Sequence, residues 1–352
     1  MKHLLRVAYF CSANAGLPLL VRTMHKRRYG QFPRVLFAHR VIDFTQPLFS
    51  FFMGLDFLTV PDFCRRLEYL RKNFKIISID EYARYVQTGE EPQSNTIVLT
   101  FDDGYRCFYT RIFPLLKKFN IPATMFLCTE CLEKGAILLH DRLGYIVATS
   151  LVTKFSLPEL DSRTYSLGSE GERVQVFRDV GAKIHTMSHD DKVRTVDRLS
   201  EVLKVDESGI PRHVPMLSWS EVREMLCSGL VTFGAHTVSH PILTSIGMRE
   251  ARYEISHSKA VMEKELDVPV RFMAYPNGAD EDFNESIKAA VKEAGYDLAF
   301  TTISRFGSQI DPYELPRDGF SSSESISRFK LRVSGFFDFC GPPVIGKLWR
   351  ER

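Results

Sequence analysis

Two polar clusters hold the residues in this chain that could do chemistry. Thr100-Phe101-Asp102-Asp103-Gly104 follows the apolar run Ile97-Val98-Leu99, and His236-Thr237-Val238-Ser239-His240-Pro241 lies far downstream. Together they supply two carboxylates and two imidazoles, enough for a divalent metal and a general base. One carboxylate with two histidines is a recurrent hydrolytic ligand set when a coordination position stays open for water, so the chain reads as a metallohydrolase. Two rival uses fit less well. The histidine pair lacks the Glu of the HExxH zinc-protease helix, and a two-His-one-carboxylate iron oxygenase needs no paired Asp.

Clusters so far apart in sequence must be brought together by regular elements. Apolar runs recur at residues 35–38, 75–79, 97–101 and 123–127, and after a gap at 231–235, 270–274, 298–302 and 313–315. Helical patterns alternate with them. Phe63, Leu67, Leu70 and Phe74 follow Pro61; Ser218 and Glu221 form a capping box before a helix closed by Gly229; Ile287, Ala290, Val291 and Ala294 share one face of a helix over 280–295. Alternation of this kind argues for parallel strands joined by helices, seven or eight β/α units in all. In such a distorted (β/α)7–8 barrel His39, Asp102, Asp103, His236, Tyr275-Pro276-Asn277 and Arg317 all fall at carboxyl ends of strands, the rim that barrel active sites occupy. Residues 129–216 interrupt the alternation after the fourth strand with a charged helical stretch, expected to be a cap, whose start, His140-Asp141-Arg142, could reach a substrate.

Size and charge are compatible with this reading. At 352 residues the chain suits one large α/β barrel or two domains. Its 46 basic and 43 acidic residues leave a net charge of +3, too balanced to require nucleic acid as a partner. Local basicity is greater at the ends: Arg22, Lys26, Arg27, Arg28 and Arg34 follow an apolar stretch, and the chain finishes Lys347-Leu348-Trp349-Arg350-Glu351-Arg352. Both ends could lie against an anionic membrane surface, or simply be solvated charged faces. Seven cysteines form an odd set in which only Cys128 and Cys131 make a CxxC pair, with no second pair to complete a zinc ribbon. Scattered cysteines favour a reducing compartment. The apolar N-terminus is broken by Ser12, Asn14, Gly16 and Pro18 and never nears the length of a membrane span. The expectation is a short amphipathic helical segment and a cytoplasmic, membrane-apposed protein rather than a secreted one.

The order TFDDG, then HTVSHP, then Arg271 five residues before Pro276, resembles the polysaccharide deacetylase family, also called the NodB-homology or carbohydrate esterase 4 family. The resemblance covers roughly residues 33–320, leaving 1–32 as the N-terminal segment and 321–352 as a helical tail capped by Ser321-Ser322-Ser323. It implies a NodB-type barrel that removes N-acetyl groups from a polysaccharide or lipid-linked glycan in a bacterial envelope or exopolysaccharide pathway. Asp103, His236 and His240 would hold one divalent metal, with Zn2+ expected and Co2+, Ni2+ or Mn2+ as alternatives. Asp102 would be the general base and Arg271 the arginine that holds it, a two-oxygen task suited to a guanidinium. The Tyr275 N–H would face the developing oxyanion.

The chain departs from the family pattern at the late LxH motif: it reads Leu315-Pro316-Arg317-Asp318, and the histidine that protonates the departing amine is missing. His39 is the candidate replacement, because its strand would neighbour the last one in a closed barrel and circularly permuted members of the superfamily carry their acid histidine on an N-terminal strand. Asp141, Arg142, Asn277 and Arg317 are candidate substrate contacts. Two alternatives stay open: a deacylase of another amide or an O-acetyl ester, and a catalytically idle glycan-binding protein with the same fold.

Overall fold

The structure, a computed structural model, describes residues 17–29, 33–43, 57–92, 95–210, 215–304, 311–319 and 324–339. In chain order the elements are α1 (Leu17–Tyr29), β1 (Arg34–Ala38), β2 (Arg40–Ile42), β3 (Phe57–Thr59), α2 (Val60–Asn73), β4 (Lys75–Ile76), α3 (Ile79–Thr88), β5 (Thr96–Phe101), α4 (Phe113–Phe119) and β6 (Ala123–Leu127). There follow α5 (Thr129–Lys134), α6 (Leu139–Thr149), β7 (Lys154–Ser156), β8 (Thr164–Ser166), α7 (Glu170–His185), α8 (His189–Leu203), α9 (Trp219–Cys227) and β9 (Val231–Ala235). The last are α10 (Met248–Leu266), β10 (Phe272–Ala274), α11 (Glu285–Glu293), β11 (Leu298–Phe300), β12 (Asp318–Gly319) and α12 (Ile326–Val333).

The main sheet is parallel and runs β11-β10-β9-β6-β5-β1-β12, with β4 also pairing β5. Every residue of β5 and β6 is buried, as expected of parallel strands covered on both faces. Successive strand residues point to opposite faces. Ile97, Leu99 and Phe101 therefore join the core under the helices, while Val98 packs inward with Val35, Phe126, Phe272 and Phe300. Thr100 and Asp102 continue that inward row. Leu315 bridges Phe300 of β11, and Asp318 and Gly319 pair with Leu36 and Phe37 of β1. One short segment thus touches both edges of the curled sheet, giving a distorted barrel.

Local chemistry moves several expected boundaries. The run 75–79 stops as a strand at Ile76, because Ser78 turns to cap α3 by accepting the Glu81 N–H at 3.1 Å. No strand forms at 313–315. Pro316 has no N–H for a ladder, and pairing resumes at Asp318. The helix expected from residue 280 starts at Glu285, since Asn284 takes the cap position and Asp282 closes a turn onto the Ala279 N–H. Ser218 and Glu221 form the capping box of α9. Ser321-Ser322-Ser323 lie outside the described residues, and Ser325 caps α12.

Between β6 and β9 the chain builds a body with its own apolar core, in which Leu143, Ile146 and Val147 of α6 meet Phe155, Tyr165, Val176, Val180, Val196 and Leu199. The interruption is a folded cap. At the opposite end of the chain, α1 buries Val21 but leaves Leu19, Leu20 and Met24 exposed. Among the described residues no helix is long and apolar enough to cross a membrane.

Candidate metal and active site

Asp102 ends the β5 ladder, donating its N–H to the Ala38 carbonyl at 3.1 Å. The backbone then turns into the left-handed region, with φ of 77° at Asp103 and 88° at Gly104. That turn carries the second aspartate out of the strand's two-residue period and onto the rim. Glycine is required next, because a Cβ at position 104 would stand 3.0 Å from Leu127 Cδ2 as well as strained. His236 is placed by an equivalent step, its N–H extending the β9 ladder to Leu127 O at 2.8 Å.

The segment from His236 to His240 is an irregular loop, with φ of 67° at Thr237 and 63° at His240. Non-glycine residues in this region cost about 1–3 kcal/mol each and persist where the surroundings over-determine them. Here the Glu254 carboxylate of α10, almost fully buried, does so by accepting the Val238 N–H at 2.8 Å, the Ser239 N–H at 3.0 Å and the Ser239 hydroxyl at 2.7 Å. Glu254 lies outside both motifs, and nothing in its local sequence marks it. Glu254→Ala is expected to cost about 1–3 kcal/mol through orphaned donors and to weaken metal affinity roughly 10–100-fold, as loss of an outer-shell partner does. Denaturation and metal titration of the variant check both.

The two histidines converge on Asp103. His236 Nδ1 lies 2.8 Å from Ala274 O and so carries the proton, leaving Nε2 as a lone-pair ligand. His236 Nε2 and His240 Nε2 stand 3.5 and 3.4 Å from Asp103 Oδ1. Tetrahedral bonds of about 2.0–2.1 Å put ligand atoms about 3.3 Å apart, so this spacing fits one shared ion. Asp103 Oδ1 is buried without a hydrogen-bond partner, a costly state for a carboxylate unless a cation completes it. Burial pushes the Asp103 carboxyl up, but His39, His240, His140 and His236 around it pull it well below the usual carboxylate range. Burial also drives the His236 pKa down to about 4. Both groups are therefore in their ligating forms at neutral pH.

Asp102 is held by Arg317, not by Arg271. Arg317, fully buried, gives Nη1–H to Asp102 Oδ1 at 2.8 Å and Nη2–H to Oδ2 at 2.7 Å, while its Nε–H donates to Thr301 O at 2.9 Å. Its guanidinium also lies over Phe37, 4.7 Å from the ring centroid. Burial raises the Asp102 carboxyl, but the charge and hydrogen bonds of Arg317, together with His236 and His39, bring it below the usual carboxylate range. Arg271 precedes the first residue of β10, at the strand end remote from the rim, where it pairs with Asp297 at 2.7 Å and Asp80 at 2.8 Å. The spacing to Pro276 points to the wrong arginine; Arg317, directly ahead of β12, is the one that the fold brings to Asp102.

Other expected contacts are also redistributed. The Tyr275 N–H is committed to Phe300 O at 3.0 Å, so it is not the free oxyanion donor expected of it. The Tyr275 hydroxyl bonds Tyr313 O at 2.9 Å. Arg142 pairs with Asp197 and Glu207 within the cap, and Asp141 is fully buried against Arg40 and Tyr105. Neither lines the cavity above the ligands. Arg317 likewise serves Asp102 rather than a substrate. His39 and Asn277 do line that cavity, of about 540 Å³, together with His140 and His185 from the cap. The Cys128 thiol donates to the His236 carbonyl at 3.3 Å, which gives the CxxC segment a packing role beneath the ligand loop.

Residues 89–299 match the family described as polysaccharide deacetylase. A poly-beta-1,6-N-acetyl-D-glucosamine N-deacetylase of Escherichia coli K12 is 43% identical over 56 residues, 16% of this chain and only 8% of that protein. Among solved structures, Streptococcus pyogenes deacetylase PplD in complex with acetate superposes with a TM-score of 0.57 at 18% identity, covering 86% of this chain and 97% of that one. IcaB from Ammonifex degensii gives 0.56 at 18% identity, with 88% and 98% covered. These two likenesses bear on the fold, and the family match spans more than half of the chain. The chain belongs to the polysaccharide deacetylase family.

Proposed function

We propose that this protein is a metal-dependent N-deacetylase of a polymeric or lipid-linked N-acetylhexosamine, for which poly-β-1,6-N-acetylglucosamine is the first substrate to test. The observation that carries the reading is the orphaned Asp103 Oδ1 facing two Nε2 atoms at 3.4 and 3.5 Å, beside a second aspartate held by a buried arginine. Asp103, His236 and His240 would hold the ion, with zinc favoured by the mixed nitrogen–oxygen set. When bound, such an ion polarises an acyl carbonyl and brings the pKa of a water down toward about 7.

The protein groups account for the proton transfers. Asp102 keeps lone pairs beyond the two that Arg317 occupies and takes a proton from the attacking water. The carbon–nitrogen bond then breaks, releasing acetate, and the departing amine nitrogen takes a proton from His39, which reaches the cavity from the end of β1. Full acetate release by His39→Ala would remove it from this role; the expected result is a roughly 10²–10⁴-fold fall in kcat. The reading is tested with metal-reconstituted protein on β-1,6-linked N-acetylglucosamine oligomers and matched O-acetyl esters. Acetate from the amides alone supports it, and no acetate from any N-acetyl glycan refutes it. We place the protein at an anionic membrane surface in the cytoplasm, with the exposed Leu19, Leu20 and Met24 of α1 and the basic residues that follow them as the contact.

A further inference from the structure

The cap reaches the cavity with His140, in the first turn of α6, through a buried assembly that the proposed chemistry leaves unused. Tyr105 O–H donates to Asp141 Oδ2 at 2.9 Å. A hydroxyl has one proton, so at its second contact, 2.9 Å from His140 Nε2, the Tyr105 oxygen accepts and His140 carries its proton on Nε2. The opposite nitrogen, Nδ1, is then a lone-pair acceptor, and it has no hydrogen-bond partner among the described residues. Asp141 is in turn paired with Arg40, whose guanidinium stacks 3.8 Å from the centroid of the Tyr105 ring. Arg40, Tyr105 and Asp141 are each at most 3% exposed, whereas the His140 side chain is about a third exposed and lines the cavity, its ring centroid 5.7 Å from that of His240.

Buried ion pairs contribute little to stability compared with apolar packing, and they serve better to impose one arrangement. Here the arrangement is a single imidazole tautomer presented beside the ligand loop. We infer that His140 is a substrate-binding residue whose Nδ1 accepts a hydrogen bond from a ring hydroxyl flanking the scissile acetamide, with Tyr105, Asp141 and Arg40 as the positioning residues that lock the ring. A neutral acceptor requires a donor, and the donors that an N-acetylated sugar offers beside its acetamide are hydroxyls. The cap thereby reads the sugar, while the barrel floor acts on the acyl group. This rests on the deacetylase reading above.

The test uses the full chain with metal bound. His140→Phe keeps the ring's bulk and removes the acceptor; Tyr105→Phe keeps the stack and removes the lock. The substrates are an N-acetylglucosamine oligomer and its deoxy analogues lacking one ring hydroxyl at a time. The expected result is a loss of about tenfold in kcat/KM for His140→Phe, a similar loss for the wild type on one deoxy analogue, and no further loss when the two changes are combined. Zinc affinity, read by chelator competition, should stay within twofold, and Tyr105→Phe should raise KM more than it lowers kcat. Unchanged kcat/KM in His140→Phe, losses that simply multiply on every analogue, or a tenfold weaker zinc affinity would each overturn the inference. If the wild type releases no acetate from any glycan, the deacetylase reading fails first. Calorimetric binding of the same oligomers to wild type and His140→Phe then decides this one, equal affinities counting against it.

Discussion

Replacing Asp102 by Asn is expected to abolish acetate release, with a fall of about 10²–10⁴-fold from loss of the proton acceptor, while the bound metal is retained. Retention follows from the geometry, because Asp103 rather than Asp102 stands beside the two Nε2 atoms. The same variant should be less stable. Asp102 balances the fully buried guanidinium of Arg317 through two hydrogen bonds of 2.8 and 2.7 Å, and removing one partner of a buried pair costs about 3–5 kcal/mol. Asn keeps one acceptor, which places it at the lower end. Arg317→Met should be as damaging from the other side, leaving an unpaired carboxylate inside the barrel. Arg271→Ala is the control: its pairs with Asp297 and Asp80 are partly exposed, and such pairs are worth at most about 1 kcal/mol. Urea denaturation with acetate assays on the three variants separates the possibilities. Loss of activity in Arg271→Ala with full activity in Arg317→Met would reverse the assignment.

The second large effect concerns the ligand set. Asp103→Asn removes the only anion among the three ligand atoms, and zinc affinity should fall by roughly 10²-fold or more, beyond the 10–100-fold typical of an outer-shell change. Because the ion binds the folded state, wild type with zinc at a hundred times its Kd should gain about 2.7 kcal/mol over chelated protein. Asp103→Asn should lose most of that gain. Equal thermal stabilisation of the two proteins by zinc would show that the ion sits elsewhere.

The cap accounts for a further difference between this cavity and a bare barrel rim. Its helices α6 and α7 deliver His140 and His185, and His185 Nδ1 lies 3.3 Å from the Asn277 amide. A passive insertion would need neither contact. Its separate apolar core means that the cap can hold these side chains on rigid helices rather than on loose rim loops.

Much of this was visible from residue types and local spacing. Short apolar runs alternating with helical patterns imply a parallel α/β barrel, since a strand buried on both faces must be apolar throughout. The doubled aspartate and the HxxxH pair, each directly after such a run, imply that both clusters share a rim, because parallel strands end on the same side. The separate roles of Asp102 and Asp103 were implied by the resemblance to the deacetylase family rather than by spacing.

What depended on the tertiary structure was which distant groups meet. Arg271 and Arg317 are both arginines with a proline close by in the sequence; only the pairing of Leu315 with β11 and of Asp318 with β1 carries Arg317 between them to Asp102. Glu254 is an ordinary position on a helix until that helix packs under the ligand loop. His140 and Tyr105 come from the cap and the barrel, 35 residues apart, and their contact has no signature in either segment. The physical reason is one of range. Turns, caps and strand alternation are set by neighbours along the chain, whereas a buried charge or a fixed imidazole is decided by whichever partner the packed fold brings within about 3 Å.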